Sequence, residues 1–208
     1  MKSKKLLIAT RNPGKFKEYK IIFNKLLPEI NLISLKDLNI KEEVKENGKT
    51  YKENALKKAR FYSKLMNLPT LGDDGGLEID FLDGEPGIKS RRWPGYEATD
   101  EELIQIILEK MKDVPFQKRK AKLIAVVVLI FPKDSKTYTF KGVLDGYIAE
   151  NPIVQRFKGY PFRSVFYLPQ EKKVFAELSP EHEAEICHRK IAIKKAMPLL
   201  RKKFGIKF

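Results

Sequence analysis

Asp73 and Asp74 stand side by side in the stretch LGDDGGLEIDFLDGEPGIKSRRW, residues 71–93, and Gly75 and Gly76 follow at once. Adjacent carboxylates suit two linked tasks: holding a hard divalent cation and removing a proton from water. The glycines permit unusual dihedrals or close approach of a ligand to the backbone. The turn Lys89-Ser90-Arg91-Arg92 that follows suits an anionic or planar substrate. With one cysteine, Cys187, the chain has no internal disulfide and no cysteine-based zinc site, and two histidines do not make a His-rich metal site.

A second candidate lies at the N-terminal end. Lys5–Thr10 is a short apolar run that predicts a buried strand, and Asn12-Pro13-Gly14-Lys15 opens a helix. Asn12 suits the N-cap and Pro13 the first helical position. Strand, glycine-containing turn and helix form the arrangement that directs backbone N–H groups at an anion. Lys15, in the first turn, gains nothing from the helix dipole, and a phosphate would supply its partner. The spacing is not that of a Walker A loop.

The remaining elements follow from periodicity and punctuation. Ile30–Leu35 reads as a second strand, and 41–49, with Glu42, Glu43 and Glu46, as an exposed loop. Thr50-x-x-Glu53 and Thr99-x-x-Glu102 read as capping boxes, each starting a helix. Leu77, Ile79 and Phe81 alternate with Glu78 and Asp80 as a half-buried strand. Two long strands, 122–131 and 137–148, follow, and then a hairpin of 165–168 with 174–178. Ser179-Pro180 starts the last helical region, where Pro198 predicts a kink or break. Helices alternate with strands early and hairpins dominate late. That argues for an α/β or α+β fold with a mixed sheet.

The formal net charge is +15, with 33% charged and 42% apolar residues. A nucleic-acid partner, an anionic small substrate or a lysine-rich solvated surface would each account for it. Residues 189–208 hold eight Lys or Arg and no acid. The longest apolar run, 123–131, is far short of the about 20 residues a membrane span needs, and no signal peptide is apparent, so the expected location is cytoplasmic.

Four segments together resemble the inosine triphosphate pyrophosphatase family, which acts on aberrant purine nucleoside triphosphates (ITP, dITP, XTP). They are Ala9-Thr10-Arg11-Asn12-Pro13-Gly14-Lys15 with Glu18; Glu46-Asn47-Gly48-Lys49-Thr50-Tyr51 leading to Glu53-Asn54-Ala55 and Lys58-Ala59; Asp73-Asp74-x-Gly76-Leu77 followed by Pro86-Gly87-Ile88-x-Ser90-x-Arg92; and Ala176-Glu177-Leu178 followed by His188-Arg189. They occur in the family's order and spacing. The resemblance implies a single domain over residues 1–208, an elongated mixed β-sheet flanked by helices in two lobes around a central cleft, and a homodimer. The implied reaction is Mg²⁺-dependent hydrolysis of the nucleoside triphosphate to monophosphate and pyrophosphate. By the same resemblance Glu46 and Asp73 bind metal and Asp74 is the general base. Thr10, Asn12, Lys15 and Lys58 face phosphate, and Ser90, Arg92, His188 and Arg189 lie around the base and substrate.

Three positions depart from that pattern. Gly75 replaces a serine. Arg163 stands where the family has Asp in a segment read here as Gly159-Tyr160-Pro161-Phe162-Arg163-Ser164-Val165-Phe166, and Glu183 stands where it has Lys. Tyr160 takes the place of the aromatic expected to stack on the base. Two arrangements fit the reversal: Arg163 and Glu183 pair with exchanged signs, or the loop shifts and Arg163 points to solvent. Glu accepts hydrogen bonds where Lys donates them, so the base would meet a different partner. Two other functions remain compatible with the sequence. One is a basic nucleic-acid-binding protein of the same fold with lost or altered catalysis, which would bind in a salt-dependent way. The other is a related pyrophosphatase for modified pyrimidine nucleotides.

Overall fold

The computed structural model describes residues 4–153 and 159–207. Seven strands form one sheet in the order β2-β1-β3-β4-β5-β6-β7. They are β1 (Lys5–Ala9), β2 (Asn31–Ser34), β3 (Thr70–Ile79), β4 (Lys120–Ile130), β5 (Thr137–Ile148), β6 (Phe166–Leu168) and β7 (Lys173–Val174). β1 pairs in parallel with β2 and β3, whereas β6 pairs antiparallel with β5 and β7. The sheet is therefore mixed, in an α/β fold. The helices are α1 (Pro13–Leu26), α2 (Tyr51–Met66), α3 (Asp100–Lys110), α4 (Pro180–Ile186) and α5 (His188–Phe204). Among the described residues no helix is long and apolar enough to cross a membrane.

The chain forms two compact units. The first comprises Met1–Asp74, Ala125–Gly142 and Ala184–Phe208. Its core packs Leu7, Ala9, Leu35, Ile40 and Tyr62 together, with a neighbouring cluster of Ala55, Ala59 and Val128. The apolar run of β4 is buried almost throughout, as a strand without polar alternation should be. Gly72 lets α2 lie directly on β3: a Cβ there would come within 2.1 Å of the Ala55 carbonyl oxygen. The second unit comprises Gly75–Ile124 and Val143–Glu183. There the buried Arg119 guanidinium is satisfied by backbone oxygens, donating to Val114 at 2.8 Å, Met111 at 2.7 Å and Ala149 at 3.2 Å.

Several sequence expectations are corrected. The strand expected only from Leu77 begins at Thr70, where β1 supplies a parallel partner through Ala9↔Gly72, and it carries both aspartates within it, between β1 and β4 in the sheet. Phe81 is not part of it: Asp80–Leu82 turn as a 3₁₀ segment and leave Phe81 exposed. The second arm of the late hairpin stops at Val174, and Phe175–Glu177 form another 3₁₀ turn. Thr99 and Glu102 make the complete capping box. At α2 only half of one forms: Thr50 accepts from the Glu53 N–H, but the Glu53 carboxylate turns to the Lys49 N–H at 2.7 Å. The last helical region breaks at Cys187, the N-cap of α5, and runs through Pro198 to Phe204. Pro198 and Lys194, whose carbonyl loses its helical donor, are both exposed, so water can satisfy that oxygen.

Candidate active site

The sheet and α2 bring most of the expected phosphate-side residues together within the first unit. Asp73 is buried, and its Oδ2 receives two cations: Lys15 Nζ at 2.9 Å and Arg189 Nε at 3.3 Å. Lys15 reaches it from the first turn of α1, which Asn12 caps by accepting from the Gly14 and Lys15 N–H groups at 2.8 and 3.2 Å. Those two N–H groups are thereby taken by the Asn12 side chain. The helix start is therefore not the open backbone cradle that the turn sequence predicts; its contribution is to aim the Lys15 side chain. Thr10 supports the same turn, its hydroxyl accepting from the Asn12 N–H at 3.2 Å.

Asp74 sits in a different environment one residue on. Its Oδ2 accepts from Asn54 Nδ2 at 3.0 Å, and its Oδ1 lies 3.9 Å from Lys58 Nζ. Lys58 also holds Glu46 at 2.7 Å. Glu46 belongs to the loop before α2, which several contacts fasten down. Gly48 donates to Asn54 Oδ1 at 2.7 Å, and both Arg11 and the Tyr62 hydroxyl donate to the Glu42 carbonyl at 2.9 Å. The loop expected to be merely exposed is thus anchored where it presents Glu46 to Lys58.

The two neighbouring carboxyls are tuned in opposite directions. Burial alone would raise Asp73, but Lys15, Arg189 and Lys58 outweigh it and hold the carboxyl well below the usual carboxylate range. Burial dominates at Asp74 and raises it, against the lowering influence of Lys58, Lys15 and Asn54. Asp73 is therefore a permanent anion, while Asp74 is the more basic partner. Environments that push two titratable groups apart are how a site divides a fixed charge from a proton acceptor.

Three members of this site had no role assigned from the sequence, although Glu18 and Asn54 stand within the motifs quoted above. Glu18 lies one turn after Lys15 on α1 and accepts from Arg189 Nη1 at 3.3 and 3.4 Å. Asn54 lies one turn before Lys58 on α2. The i,i+3 and i,i+4 spacings that place each pair on one helix face were the available signal. Tyr19 is the third: burial, followed by the Asp73 charge, pushes its phenol well above the ordinary range, and no sequence pattern marks it. His188 and Arg189 open α5 and are both buried.

The expected base-side residues of the second unit form their own group. Arg163 and Glu183, both buried, pair through Nη1 and Oε2. The exchanged ion pair is thus the arrangement found, and the solvent-facing alternative is not. The Arg163 guanidinium lies 3.9 Å from the centroid of the Tyr160 ring and 5.5 Å from that of Phe175. Ser90 and Arg92 lie in the 3₁₀ segment Gly87–Arg92, where the Ser90 hydroxyl donates to the Gly87 carbonyl at 3.1 Å.

Among the described residues no three carboxylate, histidine or cysteine side chains converge into a protein cage for a cation. Mg²⁺ does not require one, since one or two carboxylates plus phosphate oxygens and water suffice. Asp73 Oδ1 is buried and, the Tyr19 phenol beside the carboxylate apart, meets no donor in hydrogen-bond geometry, an arrangement costly for a carboxylate unless a cation or donor serves it. Glu46 and Asp73 therefore fit the ion in the substrate-assisted manner.

The Ham1 family model matches residues 6–199. A dITP/XTP pyrophosphatase of Geobacter sulfurreducens is 37% identical over 201 residues, covering 97% of this chain and 96% of the relative. One of Bacillus subtilis is 35% identical over 197 residues, covering 95% and 97%. The solved structure of the Staphylococcus aureus Ham1 protein superposes with a TM-score of 0.80 at 34% identity, over 96% of this chain and 100% of that one.

Proposed function

The chain belongs to the Ham1 family, and we propose that it hydrolyses aberrant purine nucleoside triphosphates (ITP, dITP and XTP) to the monophosphate and pyrophosphate. One observation carries the reading. Two adjacent carboxylates on one strand are tuned apart, and Lys15 and Lys58 are drawn onto them from two different helices. Lysines so placed can turn to a triphosphate whose own charge replaces the carboxylates as partner.

In the proposed reaction Asp74 accepts the proton of the water that attacks the α-phosphorus. The bond from that phosphorus to the bridging oxygen breaks, and pyrophosphate leaves. Lys15 and Lys58 neutralise charge on the phosphates as it shifts to the leaving group. Glu46 and Asp73 are the residues that would hold Mg²⁺, which when bound supplies Lewis-acid polarisation of the phosphoryl group and stabilises the leaving group. Lys15 and Arg189 keep Asp73 ionised, and Glu18 holds Arg189 in place. Ser90, Arg92, Tyr160, His188 and the Arg163–Glu183 pair are assigned to the base and substrate side. A homodimer and a cytoplasmic location belong to the same proposal.

The test is pyrophosphate release from ITP, dITP, XTP, ATP and GTP with Mg²⁺ and with EDTA. Fast release from the first three, lost in EDTA, is expected. Release from ATP and GTP alone would keep the chemistry and overturn the substrate class. No metal-dependent release from any nucleotide would overturn the enzyme reading.

A further inference from the structure

Asp100 begins α3 and was singled out by no motif. Its two carboxylate oxygens hold two separate segments of the second unit. Oδ1 pairs with Arg91 Nη2, and Oδ2 accepts from the Gly159 N–H at 2.7 Å. Arg91 lies between Ser90 and Arg92, and Gly159 directly precedes Tyr160. The Arg91 side is doubly fastened: its Nη1 donates to the Ala98 carbonyl at 3.2 Å, and its own carbonyl accepts from the Ala98 N–H at 2.8 Å.

The segment so fastened is one that needs fastening. Ser90 has φ 39° and ψ −109°, a left-handed backbone that a residue with a Cβ adopts at a cost of about 1–3 kcal/mol. Such a conformation persists only where its surroundings over-determine it. Its surroundings include the Ser90 hydroxyl on Gly87, the Arg91–Asp100 pair, and Trp93, whose Nε1 donates to Glu85 at 3.0 Å. The Asp100 side chain is mostly buried and sits in the first turn of α3, where the helix dipole favours its negative charge. A fixed, ionised acceptor on a rigid helix is the right device for setting two loops against one reference.

We infer that Asp100 is a positioning residue that sets the Ser90–Arg92 segment and the Gly159–Tyr160 segment in one geometry, and thereby fixes base recognition. The inference rests on the assignment of Ser90, Arg92 and Tyr160 to the base and substrate side. Asp100 touches neither water nor phosphate in the reaction, so its loss acts on substrate binding rather than on the chemical step. A displaced positioning group costs uniform binding, which appears in KM with kcat retained.

The test uses the full chain with Asp100→Ala, Asp100→Asn and Arg91→Ala. Trp93 is the single tryptophan and lies in the fastened loop, so its quenching by acrylamide reports loop order without any substrate. For Asp100→Ala the expected results are stronger quenching, a KM for ITP raised about tenfold, and kcat within about threefold. Inhibition by pyrophosphate, which carries no base, should stay unchanged. Asp100→Asn keeps an acceptor for Gly159 and should fall between wild type and alanine. Arg91→Ala should reproduce the quenching change. Unchanged KM and quenching in Asp100→Ala would overturn the inference. So would a joint loss of kcat, KM and pyrophosphate affinity with a lowered Tm, the pattern of a merely structural residue. If the wild-type chain turns over no nucleotide, the function reading fails separately, and the quenching comparison alone decides whether Asp100 holds the loop.

Discussion

Replacing Glu18 with Gln tests the buried charge network directly. Glu18, Arg189 and Asp73 have side chains only 6%, 5% and 0% exposed, and with Lys15 they form a balanced set of two anions and two cations. At 3.3 Å a single Arg189–carboxylate contact is worth about 5 kcal/mol of Coulomb attraction at an effective dielectric of about 20. Desolvation of the ions offsets much of this, so the intact network contributes little net stability. Removing one member is another matter. Gln keeps the shape of Glu18 and one acceptor oxygen, but it leaves an uncompensated positive charge in the interior. Breaking a buried pair in this way costs about 3–5 kcal/mol. For a chain of this size that lowers Tm by about 6–20 °C. Urea unfolding followed by circular dichroism gives the free energy for Glu18→Gln, Arg189→Gln and the double variant. A coupling of at least about 1 kcal/mol is expected, because the second substitution removes the charge that the first stranded. A loss under about 1 kcal/mol for Glu18→Gln, with additive double-variant energies, would refute the network.

Three further outcomes follow from the same geometry. Asp74→Asn should lower kcat by about 10²–10⁴-fold and yet raise Tm at neutral pH. The sign follows from linkage: a carboxyl raised by burial disfavours folding while ionised, and this penalty is relieved as pH falls through its folded pKa. The acid limb of the wild-type kcat/KM profile, which reports the free enzyme, should accordingly lie above the ordinary aspartate value. Lys58→Met, by removing the largest lowering charge, should move that limb higher still, as pH–rate profiles would show. Gly72→Ala drives a methyl to 2.1 Å from the Ala55 oxygen. It should cost about 1–3 kcal/mol or more by urea unfolding and lower turnover, since α2 carries Asn54 and Lys58. Arg163→Met should destabilise by about 3–5 kcal/mol, as it strands the buried Glu183, and Arg163→Met with Glu183→Gln should recover much of the loss. Denaturant unfolding checks the pair, and ITP/ATP selectivity of the double variant reads its part in base choice.

The chain itself announced the start of α1, because Asn12-Pro13-Gly14 combines a cap, a preset φ and a turn residue in three positions, all local effects. It announced β4 as well, through nine consecutive apolar residues. Local signals failed where tertiary partners overruled them. Asp73-Asp74-Gly75-Gly76 has the composition of a turn, but β3 lies inside the sheet between β1 and β4 and Gly72 admits α2, so the same residues become strand. Pro198 reads as a break, yet its lost hydrogen bond falls on the wet side of α5 and the helix continues. The carboxylate pair and its lysines were legible as residue types in a familiar order.

What the order could not contain is why one aspartate differs from the next. Asp73 meets Arg189 across 116 positions of sequence, and Arg189 meets Glu18 across 171. Asp74 meets Asn54 across only 20, from the helix lying on its own strand. The strand pleat turns adjacent side chains apart, so neighbours in sequence meet different nearest partners even though Lys15 and Lys58 act on both. One face of β3 meets two cations brought by helices from either end of the chain, and the other an amide and a more distant lysine. Placing two carboxylates next to each other on a strand is therefore a direct way to obtain a fixed anion and a proton acceptor from one residue type. The division of labour proposed for Asp73 and Asp74 rests on those unequal contacts.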